Sequence, residues 1–514
     1  MESILGYMPI FLIFLASLIF LKSIFPGATS KFRLPPSPIA LPVIGHFHLL
    51  KPSLHKAIQN ISNRHGPLIH LYLGSNPMVF VSSAEIAREI LKANELSFSN
   101  RSANVAIRYL TYDASDLGFA PYGTYWKFMK KLCMSELLNG KMLDQLYPIR
   151  QEEIKRFLQV IQKKSQAYTA VNVADELLKL TNSIVMRMAI SKSCFDVDDE
   201  AEKVTERVKE SAKLSGKFNL ADHFWFFKGL DVQGMGKRLK EVRDRFDNMM
   251  ESIIQEHEET RNKSSRKDVS RDVLDALLSI YEDKSSEVKI TRDNIKAFLV
   301  DMFTGGTDTT AVTLEWALAE LINHPIVMEK ARKEIEYVIG NERIVVESDI
   351  AHLPYLQAIV KETLRLHPPA PFIARESTEN SKIGGYDIPE KTKVLINVWA
   401  IGRDSKYWDN PLEFLPERFL LNDENGTKSN IEVKGQHFQL LPFGSGRRGC
   451  PGISLALNVA HTTLAAMIQC FEWNGEDGGN IGSVDMTEGP SMILSRVKPL
   501  ICVPKIRLIP FSTV

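Results

Sequence analysis

The stretch FGSGRRGCPG, Phe443–Gly452, contains the spacing G-x-G-x-x-G at Gly444, Gly446 and Gly449, and Cys450 follows directly. This spacing occurs in loops that bind the pyrophosphate of a dinucleotide, where glycines let the backbone approach the phosphates. The same residues can instead surround a cysteine that carries the chemistry. The two interpretations predict different folds, and the rest of the sequence discriminates between them.

A dinucleotide-binding loop belongs to a parallel sheet built from several βαβ units. The segments HFQLLPF and ISLALNVAHTTLAAMIQC, before and after the loop, could form one strand and one helix. However, only 64 of the 514 residues follow Cys450, too few for the remaining units. The sequence therefore disfavours a membrane-anchored nucleotide-binding reductase.

The composition is that of a globular chain, with 44% hydrophobic and 24% charged residues. The net charge of +1 gives no basic excess, which argues against nucleic-acid binding. The five cysteines are widely spaced and contain no C-x-x-C pair. That pattern argues against a disulfide or zinc framework and favours a reducing compartment.

The N-terminus differs from the rest of the chain, because 19 uncharged residues lie between Glu2 and Lys22. This length suits a helix across a hydrocarbon core of ~30 Å. The nearby basic residues Lys22, Lys31 and Arg33 all follow the segment, so the positive-inside rule places the body in the cytosol. We predict a transmembrane signal anchor over residues 1–25, a proline-rich hinge over 26–46 and a catalytic domain over 47–514.

The body reads as mostly helical with small β-sheets. PLIHLYLGSNPMVFVSS predicts two strands joined by a Gly-Ser-Asn-Pro turn, and SAEIAREILKANE predicts a helix capped by its serine. Thr291 opens the longest periodic run, which Pro325 closes, and we expect one continuous central helix there. Short strands are predicted after Pro368 and near the C-terminus.

A thiolate that binds iron needs shelter, nearby positive dipoles and a backbone that lets a flat cofactor approach. The loop supplies these around Cys450 with Phe443, Gly446, Arg448 and Gly452 at fixed spacings. In this pattern the chain resembles the haem-binding loop of the cytochrome P450 superfamily. The resemblance implies that family's fold, with a long central helix over haem b, preceded by one N-terminal transmembrane helix.

The resemblance also implies roles for individual residues. Cys450 would be the axial ligand of the haem iron, and Asp308 and Thr309 in GGTDTT would deliver protons during O2 activation. The alternative is that the threonines bond to carbonyls one turn earlier and only bend the helix. The residues expected to contact the haem are Cys450, Arg448, Phe443, Trp126, Lys130, Arg375, Gly444 and Gly452. The family has Arg where this chain has Lys130, which removes the planar fork of donors.

Two further motifs, KETLRLHPP and PERF, are similar to the family's structural triad and place Glu362, Arg365 and Arg418 together. The segments around them look most like plant family 93, whose members oxidise flavonoids, isoflavonoids, pterocarpans and triterpenes, and the pterocarpan branch is the most similar. The expected substrate pocket includes Phe303, Thr304, Phe372, Ile373 and Ile493.

We therefore expect a monooxygenase that hydroxylates or desaturates a flavonoid-type substrate. Alternatives are triterpenoid C-24 hydroxylation, flavone synthesis, and a haem-thiolate isomerase that uses no O2. Isoflavone synthases have Lys where this chain has Ala374, which disfavours aryl migration. By resemblance, electrons come from NADPH through the membrane-bound NADPH–cytochrome P450 reductase, and the protein is anchored in the endoplasmic reticulum by a single pass. Lys130, Lys131 and Arg447 are candidates for the reductase-facing surface.

Overall fold

The computed structural model describes residues 8–17, 32–192, 216–263, 272–285, 287–420, 431–475, 483–490 and 492–508, with the single residues 210 and 214. The chain divides into two compact units. The smaller unit comprises Met1–Ser102, Phe218–Met235 and Phe372–Ile401, and the larger comprises Ala103–Lys217, Gly236–Pro371 and Gly402–Val514.

The strands of the described residues are β1 (Leu68–Leu73), β2 (Asn76–Val81), β3 (Val171–Asn172), β4 (Phe372–Glu376), β5 (Ser381–Ile383), β6 (Tyr386–Ile388), β7 (Lys393–Asn397), β8 (Phe471–Asn474) and β9 (Ile501–Ile506). The smaller unit holds a sheet of order β1-β2-β7-β4 and the hairpin β5-β6; the larger holds a sheet of order β3-β9-β8.

The α-helices are α1 (Met8–Ser17), α2 (Leu54–His65), α3 (Ala84–Arg88), α4 (Val105–Leu110), α5 (Thr124–Leu132), α6 (Gly140–Gln145), α7 (Tyr147–Gln166), α8 (Val173–Ile190), α9 (Leu220–His223), α10 (Met235–Lys263), α11 (Val273–Glu282), α12 (Arg292–Gly306), α13 (Asp308–Asn323), α14 (Pro325–Ile339), α15 (Pro354–Leu366), α16 (Val398–Ile401) and α17 (Ile453–Cys470). Helices thus dominate, as the sequence predicts.

The predicted hairpin is present in the smaller unit, but its turn is shorter than predicted. β1 and β2 pair from Leu68↔Val81 to Leu73↔Asn76, which leaves a two-residue turn instead of four residues. Pro77 is tolerated inside β2 because β7 pairs with β2 only from Met78 onward, so the missing N–H is not needed. The predicted serine cap also forms: Ser83 Oγ accepts from Ile86 N–H at 3.3 Å at the start of α3.

The expectation of one continuous central helix is wrong. α12 ends at Gly306 and α13 begins at Asp308, and Thr307 between them has φ −99° and ψ −74°. The Thr307 hydroxyl donates to Phe303 O at 2.6 Å. Two adjacent glycines and a threonine that bonds back to the preceding turn weaken helix continuity here. The predicted start is confirmed, because Thr291 caps α12 in a capping box with Asn294.

The larger unit is built around α13, whose residues from Thr313 to Leu321 are buried on every side. α8, α15 and α17 pack against it. A second apolar cluster joins α5, α8, α10, α11 and α12. Burial on all faces explains why this part of α13 is predominantly apolar around its whole circumference, with Glu315 and Glu320 as buried charged residues.

The predicted anchor is described only over α1, a 10-residue apolar helix with exposed side chains; residues 1–7 and 18–31 lie outside the described residues. Among the helices described, α17 is long and apolar enough to cross a membrane, yet two-thirds of it is buried inside the protein, which is typical of a core helix. The proline-rich hinge is hydrogen-bonded to β1: Pro36 O accepts from His70 N–H at 2.9 Å, and the His46 ring bridges Tyr72 N and Pro38 O.

Candidate active site

Two tight turns shape the loop before α17. Gly444 and Gly446 have φ of +72° and +69°, in the left-handed region that favours glycine. Gly449 N–H donates to Gly446 O, and Cys450 N–H donates to Phe443 O, both at 2.9 Å. The glycines of the apparent dinucleotide pattern therefore fold the loop back on itself and bring Cys450 to the start of a helix.

The backbone at Gly435 packs against these turns. Ser445 Oγ donates to Gly435 O at 2.6 Å. A side chain at Gly435 would place its Cβ only 2.5 Å from Gly444 O, so the two backbones touch. The backbone of the loop is consequently held on both sides.

The thiol of Cys450 differs from the other thiols in the described part of the chain. Cys133, Cys470 and Cys502 are buried, and burial raises the pKa of each to about 12. Cys450 is exposed and stands three residues before Ile453, the first residue of α17. A negative sulfur is favoured at such a position by the helix dipole.

Helix α5 brings Trp126 against the loop. Arg448 is buried, and its guanidinium carbon lies 4.3 Å from the centroid of the Trp126 ring. Arg448 also donates to Leu117 O at 3.3 Å and to Ala120 O at 2.6 Å. The indole N–H of Trp126 donates to Leu117 O at 2.9 Å. Both side chains predicted to face the cofactor are thus also engaged by backbone carbonyls.

Lys130 lies one helical turn after Trp126 and reaches the loop itself. Its ammonium donates to Gly449 O at 2.9 Å. An ammonium can make this single contact without the planar fork of the arginine that the family has here. The structure therefore gives Lys130 a position at the cysteine loop that the sequence left open.

The break between α12 and α13 contains the other predicted catalytic residues. Thr309 Oγ1 donates to Gly305 O at 2.8 Å, and the Asp308 carboxylate lies 3.5 Å from Thr307 Oγ1. A Cβ on Gly305 would meet no atom within 4 Å, so this side of the helix borders open space. Thr309 therefore bonds back to the preceding turn at a point where the helix borders open space.

The remaining predicted residues are divided between the units. Phe303 is buried in a core cluster, and its ring lies 6.5 Å from that of Phe246. Thr304 donates to Val300 O at 2.8 Å, and Ile493 is half-buried in the larger unit. Phe372, Ile373 and the buried Arg375 are on β4 of the smaller unit.

The structure brings the predicted triad together. Glu362 Oε1 accepts from Arg365 at 2.7 Å and from Arg418 at 3.0 Å, and Oε2 accepts from Arg365 at 2.7 Å. Glu362 and Arg365 are almost fully buried. Arg365 further donates to Gly402 O and Pro411 O, so the cluster fixes several turns of backbone.

Sequence reasoning missed Asp301 and Asp116. Asp301, on α12, accepts from the N–H groups of Leu117 and Gly118, the segment that contacts Arg448 and Trp126. The sequence could have indicated Asp301, since it is the acidic residue inside the apolar run AFLVDMF. An acidic side chain is rarely buried among apolar residues without a partner.

The donor set fits a haem. An exposed thiol provides a ligand for iron, and Lys130 and Arg448 provide positive charge close to it. A Cβ at Gly452 would lie 3.9 Å from Cys450 Sγ, so glycine keeps the space beside the sulfur free. A flat, anionic group that contains iron suits these features.

Comparison with known proteins gives the same assignment. The family model described as Cytochrome P450 matches residues 35–503. In Glycine max, 3,9-dihydroxypterocarpan 6A-monooxygenase is 50% identical over 98% of this chain and 99% of its own length. Cytochrome P450 93A3 is 54% identical over 94% and 95%, and beta-amyrin 24-hydroxylase is 48% identical over the full length of both chains. A zebrafish cytochrome P450 structure with progesterone is 27% identical, with a TM-score of 0.75 over 88% of this chain and 99% of its own. The chain belongs to the cytochrome P450 family.

Proposed function

We propose that Cys450 binds the iron of haem b and that the enzyme oxidises a flavonoid, isoflavonoid or pterocarpan. The observation that carries the first part is the exposed thiol at the start of α17, in contrast to the three buried cysteines described elsewhere. Arg448, Lys130 and Arg375 would lie near the haem carboxylates. Phe443, Gly444, Gly452 and Trp126 would pack close to the ring.

The chain is a cytochrome P450 monooxygenase, and such enzymes use a cysteine-ligated haem, O2 and electrons from NADPH through a reductase. When bound, the haem would activate O2, so that one oxygen atom is inserted into a C–H bond and the other leaves as water, with electrons from the reductase. Asp308 and Thr309, at the break between α12 and α13, are the groups that we propose deliver protons. The Thr309 hydroxyl donates to Gly305 O, and delivery of its proton requires that this hydrogen bond be broken.

The substrate class is proposed from the relatives together with the apolar residues of the expected pocket. Four of the five residues expected to contact the substrate are large and apolar, namely Phe303, Phe372, Ile373 and Ile493. Thr304 adds a hydroxyl that is already bonded to Val300 O. Apolar side chains of this kind are suited to contact a flat phenolic ring system. Triterpenoid oxidation is the second candidate, because the beta-amyrin hydroxylase matches the whole chain.

We place the enzyme on the endoplasmic reticulum membrane with the catalytic body in the cytosol. Apolar side chains of the smaller unit are exposed in the proline-rich hinge and after α9: Ile39, Val43, Trp225, Phe226, Leu230 and Val232. Exposed aromatic and aliphatic groups of this kind are stable at a lipid interface. Lys131 and Arg447, both exposed, are proposed to face the NADPH–cytochrome P450 reductase.

The test uses microsomes that contain the full chain and the reductase. Reduced, CO-treated wild type should show the Soret band of a thiolate-bound haem, Cys450→Ser should lose it, and the matched variant Cys502→Ala should keep it. A thiolate band that persists in Cys450→Ser would refute the ligand assignment.

The same microsomes are then supplied with NADPH and, separately, flavanones, isoflavones, pterocarpans and β-amyrin, and products are identified by mass spectrometry. A hydroxylated or desaturated pterocarpan or isoflavonoid supports the proposal. A flavone from a flavanone would identify a flavone synthase, and oxidised β-amyrin would identify a triterpenoid hydroxylase. A product formed without NADPH would indicate isomerisation.

A further inference from the structure

The carboxyl groups of Asp116 and Asp301 lie close together beside the segment 117–120. Asp301 Oδ2 accepts from Leu117 N–H at 2.6 Å and from Gly118 N–H at 3.3 Å. The carboxyl of Asp116, which is 1% exposed, lies beside that of Asp301. A Cβ on Gly118 would lie 3.0 Å from Asp116 Oδ2 and 3.2 Å from Asp301 Oδ1, so the glycine allows both oxygens to approach.

Two ionised carboxylates in contact repel each other strongly when they are removed from water. A proton on one of the two carboxyl groups removes this repulsion and lets that group donate to the other. Asp301 retains some accessible surface but is surrounded by protein, and burial, followed by the charge of Asp116, raises its pKa well above the usual value. The pair therefore titrates as one unit.

The carboxyl pair is connected to the cysteine loop through backbone groups. Leu117 offers its N–H to Asp301, while its carbonyl accepts from Trp126 and Arg448. Ala120 O holds the other end of the Arg448 guanidinium. Any shift of this segment would move both side chains that pack against the loop before Cys450.

The backbone directly before residues 117–120 is strained, so hydrogen bonds that hold this segment in place also stabilise the strained turn. Tyr112, Asp113 and Ala114 have φ of +53°, +58° and +60°, a left-handed conformation that non-glycine residues rarely adopt. Ser115 Oγ donates to Tyr112 O at 2.6 Å, and Tyr125 donates to Ser115 O. The carboxyl pair follows immediately and attaches the strained turn to α12.

We propose that Asp116 and Asp301 form a singly protonated pair that positions residues 117–120 and, through them, Arg448 and Trp126 at the cysteine loop. Both aspartates are positioning residues. The inference rests on the proposed role of that loop in haem binding. The titratable groups facing the pair are Tyr125 and Cys133 on and after α5, and Arg448 lies beyond Leu117.

The test compares Asp301→Asn with Asp301→Ala. The amide of Asn accepts from Leu117 N–H and donates to ionised Asp116, as a protonated carboxyl does, whereas Ala does neither. A carboxyl with a raised pKa stabilises the fold fully below its ordinary pKa, and this contribution is lost as the pH rises through the raised pKa. Asp301→Asn keeps a single negative charge throughout and should resist alkaline pH better than wild type.

Two readouts are taken between pH 6 and 10: the thermal midpoint, and the fraction of haem with an intact thiolate band in the CO-bound state. We expect both readouts of wild type to fall relative to those of Asp301→Asn as the pH rises, and Asp301→Ala to be lower than Asp301→Asn at every pH. The exposed Asp244→Asn is the matched control and should follow wild type.

Identical pH profiles for wild type and Asp301→Asn would overturn the shared proton. Equal behaviour of the Ala and Asn variants would overturn the positioning role. If Asp301→Ala does not fold, the wild-type and Asn profiles still decide. The thermal midpoint does not depend on which residue binds haem, so failure of the Cys450 assignment remains distinguishable from failure of the pair.

Discussion

The Lys130 ammonium donates a 2.9 Å hydrogen bond to the carbonyl oxygen of Gly449, the residue that precedes Cys450. A cation at this carbonyl orients the peptide that leads into the cysteine. We predict that Lys130→Met lowers the free energy of unfolding by about 1.5–3 kcal/mol, the range for a hydrogen bond to a charged group. Urea unfolding of the holoenzyme measures the loss.

The CO-bound spectrum of the same variant should show a larger fraction of haem without its thiolate. Lys130→Arg keeps the charge and the donors and should retain most of the thiolate band. Exposed Lys131→Met is the control on the same helix. A Lys130→Met enzyme as stable as wild type would show that this contact does not hold the loop.

Thr309 is predicted to control proton supply rather than folding. Thr309→Val keeps the branched shape but removes the hydroxyl that donates to Gly305 O. General acid–base groups contribute roughly 10²–10⁴-fold, so product per NADPH should fall by on the order of 10²-fold, the lower end of this range, and peroxide should rise. NADPH oxidation, peroxide and product are measured together.

The unfolding free energy of Thr309→Val should stay close to that of wild type. Thr313→Val, one turn later, removes a hydroxyl that donates to Thr309 O and should leave coupling unchanged. Equal coupling in the two variants would argue that Thr309 only bends the helix.

Removing the charge of Glu362 should destabilise the fold. Glu362→Gln leaves Arg365, 1% exposed, without its carboxylate, and breaking a buried ion pair in this way costs about 3–5 kcal/mol. Thermal unfolding and haem content are expected to fall together. Glu329→Gln, which removes a surface pair with Arg332, should have a much smaller effect.

His461 on α17 is predicted to make stability fall on mild acidification. Burial, with repulsion from Lys361, lowers its pKa from 6.5 to about 4. Because the folded state binds fewer protons, its contribution is present above pH 6.5 and is lost as the pH falls toward 4. At pH 5.5 the loss is on the order of 1 kcal/mol.

The measurement is the thermal midpoint at pH 7.5 and pH 5.5 for wild type and His461→Gln. The decrease on acidification should be smaller in the variant, which lacks the buried imidazole. The exposed His48→Gln should decrease as wild type does. A wild-type decrease that His461→Gln reproduces in full would assign the effect to other groups.

The sequence by itself determined the family, the helical fold and the residues of the cysteine loop, because these depend on fixed local spacings. Phe443, Arg448, Cys450 and Gly452 form one short motif, and the Thr291 cap is a local signal as well. Local steric and hydrogen-bonding preferences act within a few residues, so a pattern can report them.

Contacts between distant segments were decided only by the tertiary structure. The break at Thr307 lies next to two glycines, and the hydroxyls of Thr307 and Thr309 donate to backbone carbonyls one turn earlier. Leu117 is hydrogen-bonded both to Asp301, 184 positions later in the sequence, and to Arg448, 331 positions later. Such links depend on packing in three dimensions: burial makes the two carboxyl groups share a proton, and no sequence spacing records that they meet.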